Sequence, residues 1–389
     1  MRYITDAKSG NALSALGFGC MRFPRDRALT ERLIVRAAEA GVNYFDTAYL
    51  YPGSEAALGS ILHKYGLRDK VFVATKLPHS NCAEYGDFDK YFKIQLERLK
   101  TNHIDYYMVH NINGLKPWRR LCGMGIEKWV ADKKANGLIK QFGFSFHGDR
   151  QGFTDLIGAY DWDFCQIQYN YFDENNQAGR TGLQKAHAAG LTVMIMEPLY
   201  GGKLATGLPP KAVEALRAAD PGLSAAAWAF LWIYGQPEAG VVLSGMNSAE
   251  QLEDNLKTVE ISKSRAPSDK DAAAYESVLA TLRESFKIPC TGCGYCMPCP
   301  KGVDIPACFT AYNSSFALGF VAGLSQYLTS TGAMRPDSHG RAVSCVKCGA
   351  CESKCPQKIG ITKALAGVKK RLEPFWIRAA LWLALKILR

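Results

Sequence analysis

Nine of the thirteen cysteines lie in the last hundred residues, and eight of these nine form two regularly spaced runs. The first run is Cys290-x2-Cys293-x2-Cys296-x2-Cys299-Pro300, and the second is Cys345-x2-Cys348-x2-Cys351-x3-Cys355-Pro356. The first nineteen residues contain no unbroken apolar region after a basic start, so we expect no secretory signal and a reducing, cytoplasmic environment. In that environment, clustered thiols are metal ligands more often than disulfide partners. The two runs therefore predict metal binding near the carboxyl end of the chain.

A second group of side chains that could take part in catalysis follows short apolar runs earlier in the chain. Asp46, Lys76 and His110 end three successive runs, and Tyr51 follows Asp46 after a step of five residues. Each residue alone has an ordinary explanation, such as a helix cap for Asp46, a surface position for Lys76 or a structural role for His110. The strands of a parallel barrel bring their carboxyl ends to one face. The combination at ordered positions therefore predicts a catalytic pocket.

The elements that must position these side chains form a regular alternation of strands and helices. Eight apolar runs rich in Val, Ile and Phe recur between helix-like stretches. They cover residues 16–21, 42–48, 70–76, 104–110, 139–145, 164–170, 192–198 and 240–245. Continuous apolar runs are typical of strands buried on both faces of a parallel sheet, and eight such units predict a TIM barrel. A doubly wound open sheet is the alternative, but the first turn lacks its GxGxxG fingerprint.

Composition and charge divide the chain into two modules. The 389 residues are 48% apolar and 21% charged, as in a globular protein with a sizeable core, and no apolar stretch is long enough to span a bilayer. From residue 290 onward there are 13 Lys and Arg against 4 Asp and Glu, which gives +9 of the total net charge of +11. We predict a barrel over 1–261, a helical linker over 262–289, a mostly helical metal-binding domain over 290–368 and a tail helix over 369–389.

The first 260 residues resemble the aldo-keto reductase family. The segments GFGCMRFP, DTAYLYPGSE, ATKLP, DYYMVH, GFSFHG, QIQYNYFD and SGMNSAEQLEDN occur in that family's order. The resemblance implies that Asp46, Tyr51, Lys76 and His110 form a catalytic tetrad. Reduction of a carbonyl by hydride needs a proton donor, which would be the phenol of Tyr51, with a pKa lowered by the cation of Lys76. Asp46 would hold Lys76 in place, and His110 would orient the carbonyl oxygen.

The same resemblance implies a nicotinamide cofactor. Ser145 and Gln168 would hold its carboxamide, and Asn170 would lie close to the ring. The rest of the cofactor would lie along residues 198–204 and 244–255. The residues expected to line it there are Pro198, Leu199, Gly201, Ser244, Gly245, Asn247, Gln251 and Asn255. Phe146 replaces an Asn that many members have, and the Lys and Arg that often bind the 2′-phosphate are absent, so the choice between NADP and NAD is open.

The cysteine runs resemble those of two-cluster 4Fe–4S ferredoxins, in which the fourth cysteine of each run ligates the other cluster. The resemblance implies two ligand sets. One consists of Cys290, Cys293, Cys296 and Cys355, and the other of Cys345, Cys348, Cys351 and Cys299. Gly292, Gly294 and Gly349 would let the backbone turn tightly around a cluster. The first run is one residue shorter before its last cysteine, which leaves the geometry at Cys299 open, and zinc is the alternative metal.

Two charged surfaces raise the question of partners. The net charge of +9 after residue 290 either neutralises anionic clusters or docks an acidic redox protein. The tail joins a basic cluster at 369–371 to an aromatic, Leu-rich helix that also holds Arg378, Lys386 and Arg389. This helix is short for a membrane span, and it lies either in a membrane interface or against protein. We expect no nucleic-acid partner, because no motif that reads bases is evident.

These features predict an oxidoreductase that interconverts a small carbonyl compound and an alcohol with NAD(P)(H), and whose two 4Fe–4S clusters exchange electrons with a partner. Nicotinamide moves two electrons as hydride, each cluster moves one, and a flavin usually mediates between them, but no flavin-binding motif is evident. One alternative is an electron-transfer protein whose barrel binds another redox ligand such as flavin. Another is a reductase whose clusters are structural or sensory. Trp118, in the segment 110–125, is expected to line the substrate pocket.

Overall fold

The computed structural model describes residues 1–333 and 340–387. Its strands are β1 (Tyr3–Thr5), β2 (Ala12–Ser14), β3 (Leu16–Gly19), β4 (Tyr44–Asp46), β5 (Phe72–Leu77), β6 (Ile104–Ile112), β7 (Ile139–Phe146), β8 (Phe164–Gln168), β9 (Thr192–Met196) and β10 (Val242–Ser244). Its helices in the first part of the chain are α1 (Arg27–Glu39), α2 (Ser54–Lys64), α3 (Tyr85–Leu99), α4 (Leu115–Gly123), α5 (Ile126–Ala135), α6 (Arg150–Ile157), α7 (Gly179–Ala188), α8 (Lys203–Thr206), α9 (Pro210–Ala219), α10 (Ala225–Tyr234), α11 (Ala249–Ile261) and α12 (Asp269–Arg283). The carboxyl-terminal helices are α13 (Ile305–Ala317), α14 (Phe320–Ser330), α15 (Ile361–Leu372) and α16 (Phe375–Ile387).

Eight parallel strands close into a barrel in the order β10-β3-β4-β5-β6-β7-β8-β9. Each of the eight apolar runs found in the sequence overlaps one of these strands. The predicted TIM barrel is therefore confirmed, and the alternative of an open doubly wound sheet is wrong. In this arrangement the ends of β4, β5, β6, β7 and β8, which carry the candidate catalytic and cofactor residues, are consecutive around one rim.

Two apolar layers hold the barrel together. Strand side chains that point outward pack against the surrounding helices, and inward-pointing side chains fill the barrel itself. The inner cluster consists of Leu13, Tyr44, Ala74, Tyr106, Met108, Phe164, Met194, Val241 and Leu243. These bulky side chains leave no open channel among them, so the chemistry belongs at the rim above them.

An amino-terminal hairpin, absent from the sequence prediction, covers the end of the barrel where the strands begin. Strands β1 and β2 pair antiparallel, and Leu13 of β2 enters the inner cluster. Asp6, between the strands, accepts hydrogen bonds from the hydroxyls of Tyr106 and Thr192 on barrel strands. The hairpin therefore leaves the opposite rim as the open face.

The predicted linker contains helix α12, which packs on the barrel. Its buried residues Ala274, Val278 and Leu282 share an apolar cluster with Leu216 of α9 and Trp228 of α10. A capping box between Ser268 and Asp271 starts the helix. Because Ala317, Leu318 and Ala322 of the carboxyl-terminal helices join the same cluster, α12 lies between the barrel and the cysteine-rich domain.

The cysteine-rich domain is helical, as expected. Helices α13 and α14 form an antiparallel pair between the two cysteine runs. They approach closely at Gly323, where an added Cβ would lie 2.4 Å from the Cβ of Ser315, so a larger residue would force them apart. Cys308 is fully buried in the core of this domain, consistent with a packing role for the ninth thiol. The basic cluster predicted to open the tail lies in the last turn of α15, and α16 begins at Phe375.

Candidate active site and cysteine loops

The four candidate catalytic side chains lie together at the open rim. The Nζ of Lys76 donates a hydrogen bond of 2.6 Å to Oδ1 of Asp46 and another of 2.7 Å to the carbonyl oxygen of Thr47. The same Nζ lies 5.0 Å from the ring centroid of Tyr51, and the Tyr51 and His110 rings meet edge to face at 5.8 Å. Asp46 and Lys76 are almost fully buried, while Tyr51 and His110 are half-buried. Tyr51 and His110 are therefore the members of the group that keep some exposure to solvent.

Burial sets the electrostatics of this group. It raises the pKa of Asp46, against the opposing effects of Lys76 and a hydrogen bond from Gln166. Burial is the largest single effect on Lys76 and lowers its pKa, but the charges of Asp46 and Tyr51 and the hydrogen bond to Asp46 together raise the pKa of the ammonium above its ordinary value. For Tyr51, burial raises the pKa and the lowering by Lys76 only partly offsets it. Lys76 therefore lowers the pKa of the Tyr51 phenol as expected, but burial has the larger effect and the net pKa lies above the ordinary phenol value.

A buried polar network fixes the strand that carries Lys76. The carboxylate of Glu55 accepts hydrogen bonds from Thr75, from the Gln95 amide and from Arg98. The Gln95 amide also donates to the main-chain carbonyl of Lys76 at 3.1 Å. Because removing one member would leave the others buried and unsatisfied, this network resists movement of β5.

The predicted position of Trp118 in the substrate pocket is wrong. Its side chain is buried on α4, where it packs against Tyr160 and Trp162 outside the barrel wall. Aromatic side chains in a segment after a strand can face either the rim or the outer core, and the indole of Trp118 packs in the outer core.

The residues predicted for the nicotinamide carboxamide have different surroundings. The Ser145 hydroxyl oxygen accepts the main-chain N–H of Asn111 at 2.7 Å and keeps its own proton to donate. The Gln168 amide, in contrast, donates to Asp173 and Gln326 and accepts from Gln177. Asn170 is also fully engaged, because it donates to the carbonyl of Glu197 and accepts the N–H of Asp173. Ser145 is thus available to a ligand, whereas Gln168 and Asn170 are committed to protein contacts.

Gln166 is a site residue that the sequence reasoning missed. It pairs directly with Ser145 in the β7–β8 ladder, and its Nε2 donates to Oδ2 of Asp46 at 3.2 Å. Its Oε1 is buried and has no hydrogen-bond donor among the described residues. The alternation along β8 turns both Gln166 and Gln168 inward. The sequence therefore offers two glutamines for contact with the carboxamide, and the prediction above named Gln168.

The remaining predicted cofactor residues fall into two groups. Ser244 and Asn255 are buried and bonded to each other at 2.8 Å, which ties β10 to α11. Gly245, Asn247 and Gln251 are exposed around the start of α11, where Gln251 accepts the Asn247 N–H. Pro198 is buried and Leu199 half-buried in the loop after β9. Gly201, in the same loop, is exposed and donates its N–H to Glu197.

A buried amide–carboxylate network joins this rim to the cysteine-rich domain. Oδ2 of Asp173, in the loop after β8, accepts hydrogen bonds from Gln168, Asn176 and, across the domain boundary, Gln326 of α14. Tyr200 makes a second link through its hydroxyl, 2.7 Å from that of Ser314 on α13. None of the donors to Asp173 carries a charge, and burial raises the pKa of this carboxyl to about 7.

We expect Asp173→Asn to make stability less dependent on pH. The folded protein holds a proton on Asp173 up to about pH 7, whereas the unfolded chain releases it near pH 4, so stability falls as the pH rises through this window. Between pH 5.5 and pH 8 this loss amounts to about 2 kcal/mol, at 1.36 kcal/mol per pH unit. Thermal unfolding midpoints at the two pH values measure it, with the exposed Asp161→Asn as the matched control. A decline as steep in Asp173→Asn as in the unchanged protein would contradict this interpretation.

The first cysteine run surrounds a cavity. Cys290, Cys293 and Cys296 line it together with Cys355, the last cysteine of the second run. Burial raises the pKa of Cys290 and brings that of Cys296 to about 12, so binding a cluster through thiolates would displace protons. Within residues 1–333 and 340–387, no three His, Cys, Asp or Glu side chains converge tightly enough to share one metal ion. Four thiols around one cavity form a donor set that fits a 4Fe–4S cluster.

The second run repeats the local conformation of the first. In both runs the first cysteine Sγ accepts the main-chain N–H two residues later, from Gly292 at 3.5 Å and from Lys347 at 3.4 Å. The left-handed backbone at Gly292 and Gly294 recurs at Lys347 and Gly349. Cys299 and Cys345 both lie close enough to Cys351 to raise its pKa, after the larger effect of burial.

The two runs also end alike. Three residues after the last cysteine, Gly302 and Lys358 have left-handed backbones, and each donates its N–H to that cysteine's carbonyl. Helices α13 and α15 then begin three residues further on. The one-residue difference in spacing is therefore absorbed before the last cysteine, and the turn at Cys299 matches that at Cys355.

Comparison with known proteins agrees with both parts. The sequence model of the Aldo/keto reductase family matches residues 15–271, and that of the 4Fe-4S dicluster domain matches residues 289–359. The 6-dehydroglucose reductase of Novosphingobium aromaticivorans is 26% identical over 284 residues, which cover 65% of this chain and 88% of that protein. Aldo-keto reductase yakc, NADP(+), of Schizosaccharomyces pombe is 26% identical over 219 residues, covering 52% of this chain and 63% of that protein.

Solved structures show the same fold. The aldo-keto reductase from Klebsiella pneumoniae in complex with NADPH superposes with a TM-score of 0.59 at 21% identity, covering 72% of this chain and 96% of that one. The holo form of AKR11C1 from Bacillus halodurans gives the same TM-score, identity and coverage. The match of the first family model over most of the chain, with the second behind it, shows that this oxidoreductase belongs to the aldo/keto reductase family and carries a 4Fe–4S dicluster domain after its barrel.

Proposed function

We propose that the barrel reduces a small carbonyl compound to an alcohol, and catalyses the reverse, with NADPH or NADH, while two 4Fe–4S clusters exchange single electrons with a partner protein. The observation that carries the reductase part is the buried ion pair of Lys76 and Asp46 next to the half-buried side chain of Tyr51. An ammonium held this way beside a phenol supports proton donation to an oxygen that gains negative charge.

The reaction balances as carbonyl plus NAD(P)H plus a proton gives alcohol plus NAD(P)⁺. A reduced nicotinamide supplies the hydride, and so both electrons, to the carbonyl carbon. Tyr51 donates its hydroxyl proton to the carbonyl oxygen and regains one from solvent. The Lys76 ammonium stabilises the phenolate left behind, Asp46 keeps that ammonium in place, and His110 orients the carbonyl oxygen by its position at the edge of the Tyr51 ring.

The pair Ser145 and Gln166 fits the carboxamide of a nicotinamide. An amide group offers both a donor and an acceptor, and this pair offers the complement: the Ser145 hydroxyl can donate, and the buried Oε1 of Gln166 can accept. The two residues are neighbours on adjacent strands, next to Asp46. This assignment replaces the earlier expectation for Gln168, whose amide holds the domain boundary.

The coenzyme assignment is tested by comparing Gln166→Leu with Gln168→Leu. We expect Gln166→Leu to weaken binding of NADPH and NADH by about tenfold, as when a buried polar partner is lost. Titration of coenzyme fluorescence measures this, and the same titration with both coenzymes decides which one is preferred. Gln168→Leu is the matched control and should bind within about twofold of the unchanged protein. Weaker binding in Gln168→Leu than in Gln166→Leu would overturn the assignment.

The cysteine loops support two clusters and a route between the domains. Each loop presents the same turns and the same N–H···S contact, and Cys355 of the second run lines the cavity of the first. We infer that Cys299 is correspondingly the fourth ligand of the second cluster. The loop of the first run also touches the barrel, because a Cβ added at Gly292 would lie 3.3 Å from that of Asn175. A cluster there would sit beside the rim of the reductase pocket.

Structural clusters are the second candidate role. Six of the eight cysteines pack against the apolar core of their domain, so cluster loss would also unfold this core. Redox titration of the purified protein separates the two roles. Clusters that carry electrons take up one electron each, reversibly, without loss of iron, whereas purely structural clusters release iron or stay unchanged.

A further inference from the structure

Helix α16 has two apolar faces, and the described residues of the protein bury only one of them. Ile377 and Leu381, four residues apart, are buried against Phe320, Leu324 and Leu328 of α14. The opposite side remains open to solvent along two turns. Its large side chains and their exposed fractions are Phe375 (76%), Trp376 (52%), Trp382 (58%) and Leu383 (55%). Because residues seven apart lie on one side of a helix, these four side chains form one aromatic face.

The surroundings of this aromatic face are basic. Residues 361–389 contain seven Lys and Arg and a single acidic residue, Glu373. Glu373 is buried, bonded to the N–H of Val343 and 3.6 Å from Arg341, so it does not reduce the surface charge. Lys369 and Lys370, in the last turn of α15, and Arg378, in α16, are exposed. The side chain of Lys386 and all of Arg389 lie outside the described residues.

We propose that the aromatic face docks on the surface of an anionic lipid bilayer. Trp, Phe and Leu beside Lys and Arg on a surface helix are the composition of helices that lie in the headgroup region. The covered face holds α16 against α14, so the helix would lie flat with its aromatic face in the interface. No helix among the described residues is long and apolar enough to cross a membrane. Charge complementarity favours anionic lipid over a second copy of this equally basic chain.

Co-sedimentation of the iron-loaded full-length protein with vesicles tests this proposal. We expect binding to phosphatidylcholine vesicles that contain about one third phosphatidylserine, and about tenfold weaker binding to phosphatidylcholine alone. Trp376→Ser with Leu383→Ser should weaken binding to both kinds of vesicle. Lys369→Glu with Lys370→Glu should weaken only the anionic component, and added salt should act in the same way.

A matched control variant changes the same chemistry elsewhere. Tyr85→Ser with Lys140→Glu removes an exposed aromatic and an exposed cation from the barrel and should bind vesicles as the unchanged protein does. An unchanged protein that stays in the supernatant would overturn the proposal, as would α16 variants that bind equally well. Light scattering tests whether a second copy of the chain covers this face instead. If the unchanged protein is a dimer that does not bind vesicles, and Trp376→Ser is a monomer, the face is a contact between copies and the proposal is overturned. Carbonyl reduction in solution does not depend on this face, so the two proposals fail separately.

Discussion

Replacing Tyr51 by Phe is expected to lower kcat for carbonyl reduction by about three orders of magnitude, as when a general acid is removed. Phe keeps the ring that meets His110 edge to face and lies beside Lys76, so the pocket and the coenzyme site remain formed. What is lost is the hydroxyl proton that neutralises the carbonyl oxygen. Steady-state oxidation of NADPH or NADH with a panel of small aldehydes and diketones measures the loss.

The neighbouring Tyr49→Phe is the matched control. Tyr49 lies in the same loop but packs against Tyr91 and Arg98, so loss of its hydroxyl should leave kcat within about twofold. Because burial raises the pKa of Tyr51, the donor form persists through neutral pH, and reduction should decline only above the ordinary phenol value of about 10. Full activity in Tyr51→Phe would contradict the assignment of the proton donor.

Replacing Cys355 by Ala is expected to remove one 4Fe–4S cluster, with iron falling from about eight to about four atoms per chain. The cluster lost should be the one bound by the first run, although Cys355 belongs to the second. The geometric reason is that Cys355 lines the same cavity as Cys290, Cys293 and Cys296. Iron analysis and electron paramagnetic resonance of the reduced protein measure which cluster remains.

Double variants test directly which cluster Cys355 binds. Cys293→Ala with Cys355→Ala should lose no more iron than either change alone, because both thiols serve one cluster. Cys348→Ala with Cys355→Ala should lose both clusters. Cys308→Ala is the control with both clusters intact, since this thiol lies in the apolar core. If Cys348→Ala with Cys355→Ala loses only as much iron as either single variant, each run binds its own cluster instead.

Much of the fold could be predicted from local pattern. The eight barrel strands are continuous apolar runs because helices cover their outer face and the inward side chains of the other strands cover their inner face. The hairpin of β1 and β2 gave no such signal, since each strand has three residues and β1 is largely exposed. The buried position of Trp118 was likewise invisible, because an aromatic residue on α4 fits a pocket wall and an outer core equally well.

The site likewise contains residues that local pattern predicts and residues that it does not. The ends of β4, β5 and β6 indicated Asp46, Lys76 and His110, because strand order alone brings such residues to one rim. The contact between Gln168 and Gln326 joins residues 158 positions apart, and no local periodicity predicts such a pair. The raised pKa of Tyr51 depends on how deeply the phenol is buried, which only the packed structure specifies.

Transfer of deuterium from the coenzyme tests most directly whether the barrel performs hydride chemistry. The iron-loaded protein would be mixed anaerobically with NADPH or NADH carrying deuterium at the transferable C4 position and with a reducible carbonyl compound. Mass spectrometry of the alcohol then locates the label. Direct transfer beside Tyr51 predicts close to one deuterium atom per alcohol molecule, bound to the carbinol carbon. An alcohol without label would mean that the electrons travel through the clusters or a flavin while the hydrogen comes from solvent, and it would contradict the proposed reaction.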